Sequence, residues 1–155
     1  MKKFFFVTGL ALFILACGNN AGSDKSAENN AAEEPKTIEE VDPNRGIGKF
    51  KNVEVSPELN KTMADAGHKI YDVKCSSCHK LSDERLVGPG WKDVTHRRTA
   101  EWIMNFSTNP DEMLDKDPEA QAMLEICLVR MPNQGLTDDD ARNVYEFMRE
   151  NDGVQ

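Results

Sequence analysis

The stretch Cys75-Ser76-Ser77-Cys78-His79 constrains this chain more than any other. Two thiols three positions apart, followed at once by an imidazole, form the attachment pattern for c-type haem. The chemistry sets the spacing. Each cysteine sulfur adds to one vinyl group of the porphyrin, and a two-residue gap lets one short loop reach both vinyls on the same edge. The adjacent His79 is then held under the iron as the proximal ligand. A thioredoxin-like redox pair would need a strand before it and a βαβ setting, whereas Gly67-His68-Lys69-Ile70-Tyr71 reads as the end of a helix. A zinc site would need a second pair of ligands, and downstream only Cys127 remains.

The 155 residues suffice for one domain plus appendages, and a hydrophobic fraction of 39% is low for a packed globule. A chain with a disordered portion and a large apolar cofactor would have such a composition. Lys and Arg number 19 against 27 Asp and Glu, a formal charge of −8. That balance argues against nucleic acid and against simple attraction to anionic lipid. It leaves a protein partner whose docking face is complementary or neutral.

Lys2-Lys3, the apolar run Phe4 to Ala16, and Cys17 are laid out as an export signal. The run is too short for a comfortable membrane-spanning helix. Ile14-Leu15-Ala16-Cys17 resembles the bacterial lipobox, which implies that residues 1–16 are removed and that Cys17 is acylated. Gly18 to about Asp42 is rich in Asn, Ala, Glu, Ser and Lys with a single isoleucine, so it cannot bury enough apolar surface to offset its ordering entropy. Residues 17–56 are expected to form an acidic, low-complexity, disordered tether. Within it Ile47, Phe50, Val53 and Val55 could lie along the domain as an extended arm, or the stretch could be plain linker.

Residues 57–155 read as an all-α domain of about four helices around one covalently attached haem. Ser56-Pro57-Glu58 has the look of an N-cap, a first-turn proline and an early acid, followed by Leu59, Met63, Ala66, Gly67 and Ile70 at helical spacing. Leu86 to Trp91 is turn-rich and non-regular. Thr99 caps a short helix with Trp102, Ile103 and Phe106, stopped by Asn109-Pro110. Asp117-Pro118 opens another, with Ala120, Met123, Leu124, Cys127 and Leu128 on one face. Thr137-Asp138-Asp139-Asp140 opens the last, where three acids suit the positive end of the helix dipole.

Iron bound by His79 has a sixth position to fill. Met63, Met104, Met123 and Met148 fall on helices beside apolar residues, where gap-filling is the expected role. Met113 is placed in a polar loop. Met131 combines a loop position, a following proline and a place just ahead of the terminal helix, so its sulfur can be offered free of helical constraint. The alternatives to Met131 are Met113, a histidine (His68 or His96), and an open site.

The stretches CSSCH at 75–79, VGPGW at 87–91, RRTAEWIMNF at 97–106 and RMPNQGLTDDDARNVYEFM at 130–148 together resemble a bacterial class I c-type cytochrome with a single haem. The resemblance implies that the first and last helices cross at close quarters, with Gly67 facing Val144 and Phe147 and Tyr71 packed nearby. It implies that the Pro89 carbonyl accepts from the second nitrogen of His79, that Asn133 orients near the Met131 sulfur, and that Trp91, Arg97, Arg98 and Trp102 rim the haem. The lipobox, the tether and Cys127 lie outside that family's common pattern, and Cys127 is read as a small buried apolar residue.

The function so implied is that of a monomeric electron carrier and not an enzyme. It would be a periplasm-facing lipoprotein of the cell envelope, held to the membrane through its N-terminal lipid only. His/Met ligation would let it shuttle electrons between a quinol-oxidising complex and a terminal oxidase or N-oxide reductase. The competing expectations are a haem-based gas sensor or small haem enzyme with an open sixth site, and an accessory haem module of a larger reductase.

Overall fold

The computed structural model describes residues 42–155. The signal-like segment, Cys17 and the acidic stretch up to Val41 lie outside the described residues. Regular structure among the described residues is helical: α1 (Lys61–Lys74), α2 (Val94–Arg97), α3 (Ala100–Thr108), α4 (Pro110–Lys116), α5 (Pro118–Cys127) and α6 (Asp138–Asn151). Extended pairing there amounts to one isolated bridge between His79 and Arg85. The all-α expectation holds, with two short helices, α2 and α4, added to the four expected.

Local chemistry explains most boundaries. Thr99, Asp117 and Thr137 each accept a backbone N–H with their side chains and so cap α3, α5 and α6 as their types suggest. Pro110 stops α3 at Thr108 and, with its fixed φ and missing N–H, is itself the first residue of α4. The first helix departs from expectation at both ends. It begins at Lys61, with Asn60 as the cap accepting from Met63 N–H at 3.1 Å, and it runs on to Lys74. Ser56 is diverted into a local turn, its hydroxyl accepting from Glu58 N–H. The carbonyls of Ser56 and Pro57 accept from the Arg149 guanidinium, at 2.7 and 3.1 Å.

Among the described residues the crossing of α1 and α6 is the most extensive helix-to-helix packing. Gly67 permits it: an added Cβ would lie 2.5 Å from the Asn143 carbonyl carbon and 2.9 Å from Phe147 Cβ. The partner is therefore the backbone of Asn143 together with Phe147, one position away from the expected Val144. Tyr71 packs beside Phe147 with ring centroids 5.4 Å apart. Under this crossing Glu146 is fully buried yet satisfied, accepting from Arg149 at 2.9 and 3.0 Å and from Arg142 at 2.7 Å.

The segment before α1 packs on the domain as an arm. Ile47, Phe50 and Val53 reach the core cluster. Buried Asn105 of α3 accepts from Phe50 N–H at 3.0 Å and donates to the carbonyls of Arg45 and Phe50. Met113 lies fully buried in α4, contrary to the loop expected for it, because the arm crosses over it. Its sulfur accepts from Ile47 N–H at 3.0 Å, and an added Cβ on Gly46 (φ 68°) would meet its methyl at 2.6 Å.

Candidate haem site

The attachment motif is shaped as one turn. Cys75 caps α1, its N–H donating to Tyr71 O at 2.9 Å, and its own carbonyl accepts from Cys78 and His79 N–H at 3.0 and 2.9 Å. Tyr71 Oη donates to the His79 carbonyl at 2.8 Å. The Cys78 carbonyl in turn accepts from Val87 and Gly88 N–H. Cys75, Cys78 and His79 thereby share one apolar cleft, whose walls include Ile103, Phe106, Leu124 and Val144.

His79 is presented as a ligand would be. Its Nδ1 lies 2.9 Å from the Pro89 carbonyl, which can only accept, so Nδ1 carries the proton and Nε2 keeps its lone pair. Gly88 lies flat on the ring: a Cβ there would come within 2.8 Å of both ring nitrogens. Burial lowers the pKa of His79, opposed by the Pro89 bond, and favours the neutral imidazole. Trp91 packs between the Tyr71 and His79 rings, with centroids 5.1 and 5.5 Å away. As a free thiol Cys75 is pushed by burial up to about 11. Such a thiol is inert, unlike the low-pKa nucleophile of a redox pair. Among the described residues no group of three or more His, Cys, Asp or Glu could hold a bare metal ion. A buried, unreactive Cys75 thiol and a neutral imidazole in an apolar cleft fit a porphyrin iron and fit neither a redox pair nor a bare metal site.

Met131 lines the same cleft, from the irregular stretch between α5 and α6. Met123 and Met148 also line it, from α5 and α6. The other candidates lie elsewhere. Met113 is held under the arm, His68 stacks on Phe147 beside Asp72, and His96 faces Asp93. Trp91, Arg97, Arg98 and Trp102 all line the cleft. Trp102 Nε1 donates to Asp117 at 3.3 Å, and Arg98 lies 4.7 Å over its ring while pairing with Glu119 at 2.6 Å. Arg97 donates to the carbonyls of Lys92 and Asp93. Asn133 is exposed and shapes its own turn, accepting from Gly135 N–H at 2.8 Å, and does not line the cleft.

Cys127 is half-buried on the cleft wall, a correction to the buried position expected, because α5 ends there with its last turn at the cleft mouth. The next residue, Leu128, closes that helix in the left-handed region (φ 61°), where glycine is usual, and points outward, 83% exposed. Leu86, Val87, Ile126 and Val129 are exposed with it, and the Arg85 guanidinium donates to the Ile126 carbonyl, joining the two loops. Val87 and Val129 reach into the cleft. Nothing in the sequence pattern marks these residues, because the helical spacing of α5 continues smoothly through Leu128.

The cytochrome c family profile matches residues 64–152. The chain belongs to the cytochrome c family. Among solved structures, a cytochrome c from Rhodothermus marinus is 30% identical, with a TM-score of 0.65 over 68% of this chain and 90% of that one. An engineered form of the Rhodothermus marinus protein is likewise 30% identical, with a TM-score of 0.68 over 72% of this chain and 98% of that one. No curated protein sequence matches. As a family member this cytochrome carries one covalently bound haem c, works in haem-based electron transfer and has redox proteins as partners. No helix among the described residues is long and apolar enough to cross a membrane.

Proposed function

We propose that this cytochrome is a single-electron carrier whose haem is bonded through Cys75 and Cys78 and ligated by His79 and Met131. The observation that carries this reading is the meeting of a neutral, oriented His79 and a loop-borne Met131 in one apolar cleft. When bound, the haem supplies one-electron exchange between Fe(II) and Fe(III). The chain's residues do the rest. The Pro89 carbonyl fixes the tautomer and ring plane of His79, and Gly88 and Trp91 hold the ring from moving. Ile103, Phe106, Leu124 and Val144 exclude water, and a soft thioether ligand raises the potential relative to imidazole. Arg97, Arg98, Trp91 and Trp102 would face the edge that carries the propionates.

The exposed apolar side chains of Leu86, Val87, Ile126, Leu128 and Val129, of which Val87 and Val129 line the cleft, favour a protein partner with a neutral face, and the ligation leaves no open position for a substrate. A quinol-oxidising complex upstream and a terminal oxidase or N-oxide reductase downstream suit that role, with the protein facing the periplasm on a lipid carried by Cys17. A flexible tether there would raise its effective concentration near membrane-bound partners.

The decisive experiment is a spectrum of the oxidised holo-protein. The weak red charge-transfer band of an iron–thioether bond is expected in wild type and absent in Met131→Ala, which should also bind cyanide or carbon monoxide. A band surviving in Met131→Ala would hand the ligand role to another methionine. A wild type that lacks the band and takes up carbon monoxide would turn the reading toward a sensor or enzyme. For the anchor, Cys17→Ser is expected to shift the protein from the membrane to the soluble fraction; wild type found soluble without added acyl mass would sink it.

A further inference from the structure

The loop that bears Met131 is held in an unusual way. From Val129 to Leu136 none of its residues takes part in a backbone-to-backbone hydrogen bond among the described residues. Pro132 and Leu136 touch the cleft, but the polar fastenings to the rest of the domain come from side chains. Immediately before Met131, Arg130 donates to Asp115 Oδ1 at 2.9 Å and lies 3.7 Å from Asp111 Oδ1, two carboxylates four positions apart on one face of α4. Three residues after Met131, the Gln134 carbonyl accepts from Lys74 Nζ at 2.8 Å. Asn133 Nδ2 adds only a long approach of 3.5 Å to the Thr108 carbonyl. Lys74 is the last residue of α1 and directly precedes Cys75, so one ammonium joins the element leading into the attachment motif to the loop that supplies the methionine.

We infer that Lys74 and Arg130 are positioning residues for Met131: they hold its loop in the ligating conformation and so set how often the sulfur leaves the iron. This rests on Met131 being the ligand. Both side chains are substantially exposed, so each fastening is worth at most about fivefold in the equilibrium between ligated and detached loop. Because the two lie at opposite ends of the loop, on different helices, their effects should multiply.

The test titrates oxidised, full-length holo-protein with imidazole, which must displace the sixth ligand to bind. Lys74→Met and Arg130→Met are each expected to tighten apparent imidazole binding about three- to fivefold, and the double variant by tenfold or more. Lys74→Arg keeps a donor and should stay near wild type. Lys61→Met removes an equal charge from the other end of α1 and should change nothing. Met131→Ala sets the upper limit. If it binds imidazole far more tightly than wild type while the double variant does not, the ligand assignment stands and the positioning role is lost. A double variant that merely melts at a lower temperature, with unchanged imidazole affinity, also overturns it. If Met131→Ala binds imidazole no better than wild type, the ligand assignment itself fails and this inference falls with it.

Discussion

Gly67 sits where two helix backbones touch, and even one methyl group has nowhere to go. The nearest atoms are the carbonyl of Asn143 and Phe147 Cβ, neither of them the far end of a flexible side chain. Gly67→Ala would gain about 1 kcal/mol of helix propensity, yet overpacking at such a contact costs about 1–3 kcal/mol, so the variant is expected to melt lower and Gly67→Val lower still. Thermal unfolding of the holo-protein checks this, and an unchanged melting temperature would mean the contact opens freely. The sequence points to Gly67 because a glycine inside an otherwise apolar helical pattern wants a packing reason. It does not reveal that Asn143 is the partner, since that depends on the axial register of two helices. Met113 is hidden for a similar reason. Its neighbours Asp111, Glu112, Asp115 and Lys116 are charged, and it is buried only because a segment 66 residues upstream crosses it.

The ends of α6 show how a helix can be tied to pH. Thr137 and Asp140 form a reciprocal cap in which the carboxylate accepts from the Thr137 hydroxyl at 2.8 Å and from its N–H at 3.0 Å. Those two donors hold the Asp140 carboxyl below its ordinary pKa, the hydroxyl being the larger influence. A carboxyl depressed in the folded state stabilises above its unfolded pKa, and that contribution fades as pH falls through the folded value. Asp140→Asn is therefore expected to be less stable than wild type near pH 7, with the gap narrowing below about pH 4. Denaturant midpoints at the two pH values measure it. Helices of this kind are legible because caps are local: Thr99, Asp117 and Thr137 each act within three residues. Where a distant group intervenes, local reading misplaces the boundary. Arg149 claims the carbonyls of Ser56 and Pro57 from across the fold, and α1 starts at Lys61 instead.

Taken as one body, the domain is a shell around an apolar cleft bounded by the attachment turn after α1, by parts of α2, α3, α4, α5 and α6, and by the loops between them. A group that binds only the folded chain adds its binding free energy to stability. Protein made with Cys75→Ser and Cys78→Ser is thus expected to lose its sharp melting transition and its near-ultraviolet circular dichroism, and a cooperative transition like that of wild type would show the shell to be self-supporting. The cleft's chemistry is legible in five contiguous residues, because covalent attachment demands a fixed local pattern. Its mouth is not, because Leu86 and Leu128 are ordinary leucines until the Arg85–Ile126 hydrogen bond ties their two segments together.

The crossing at Gly67 also fixes an order in time. The face of α1 that carries Gly67 and Tyr71 closes on α6, which is synthesised after the other described helices. A lone 14-residue helix is marginal in water, so until Asp138–Asn151 has been made α1 has no lasting partner. Cys75 and Cys78 therefore sit on a loose segment until α6 docks, open to whatever must reach their sulfurs. The door is shut only when Asp138–Asn151 docks against α1.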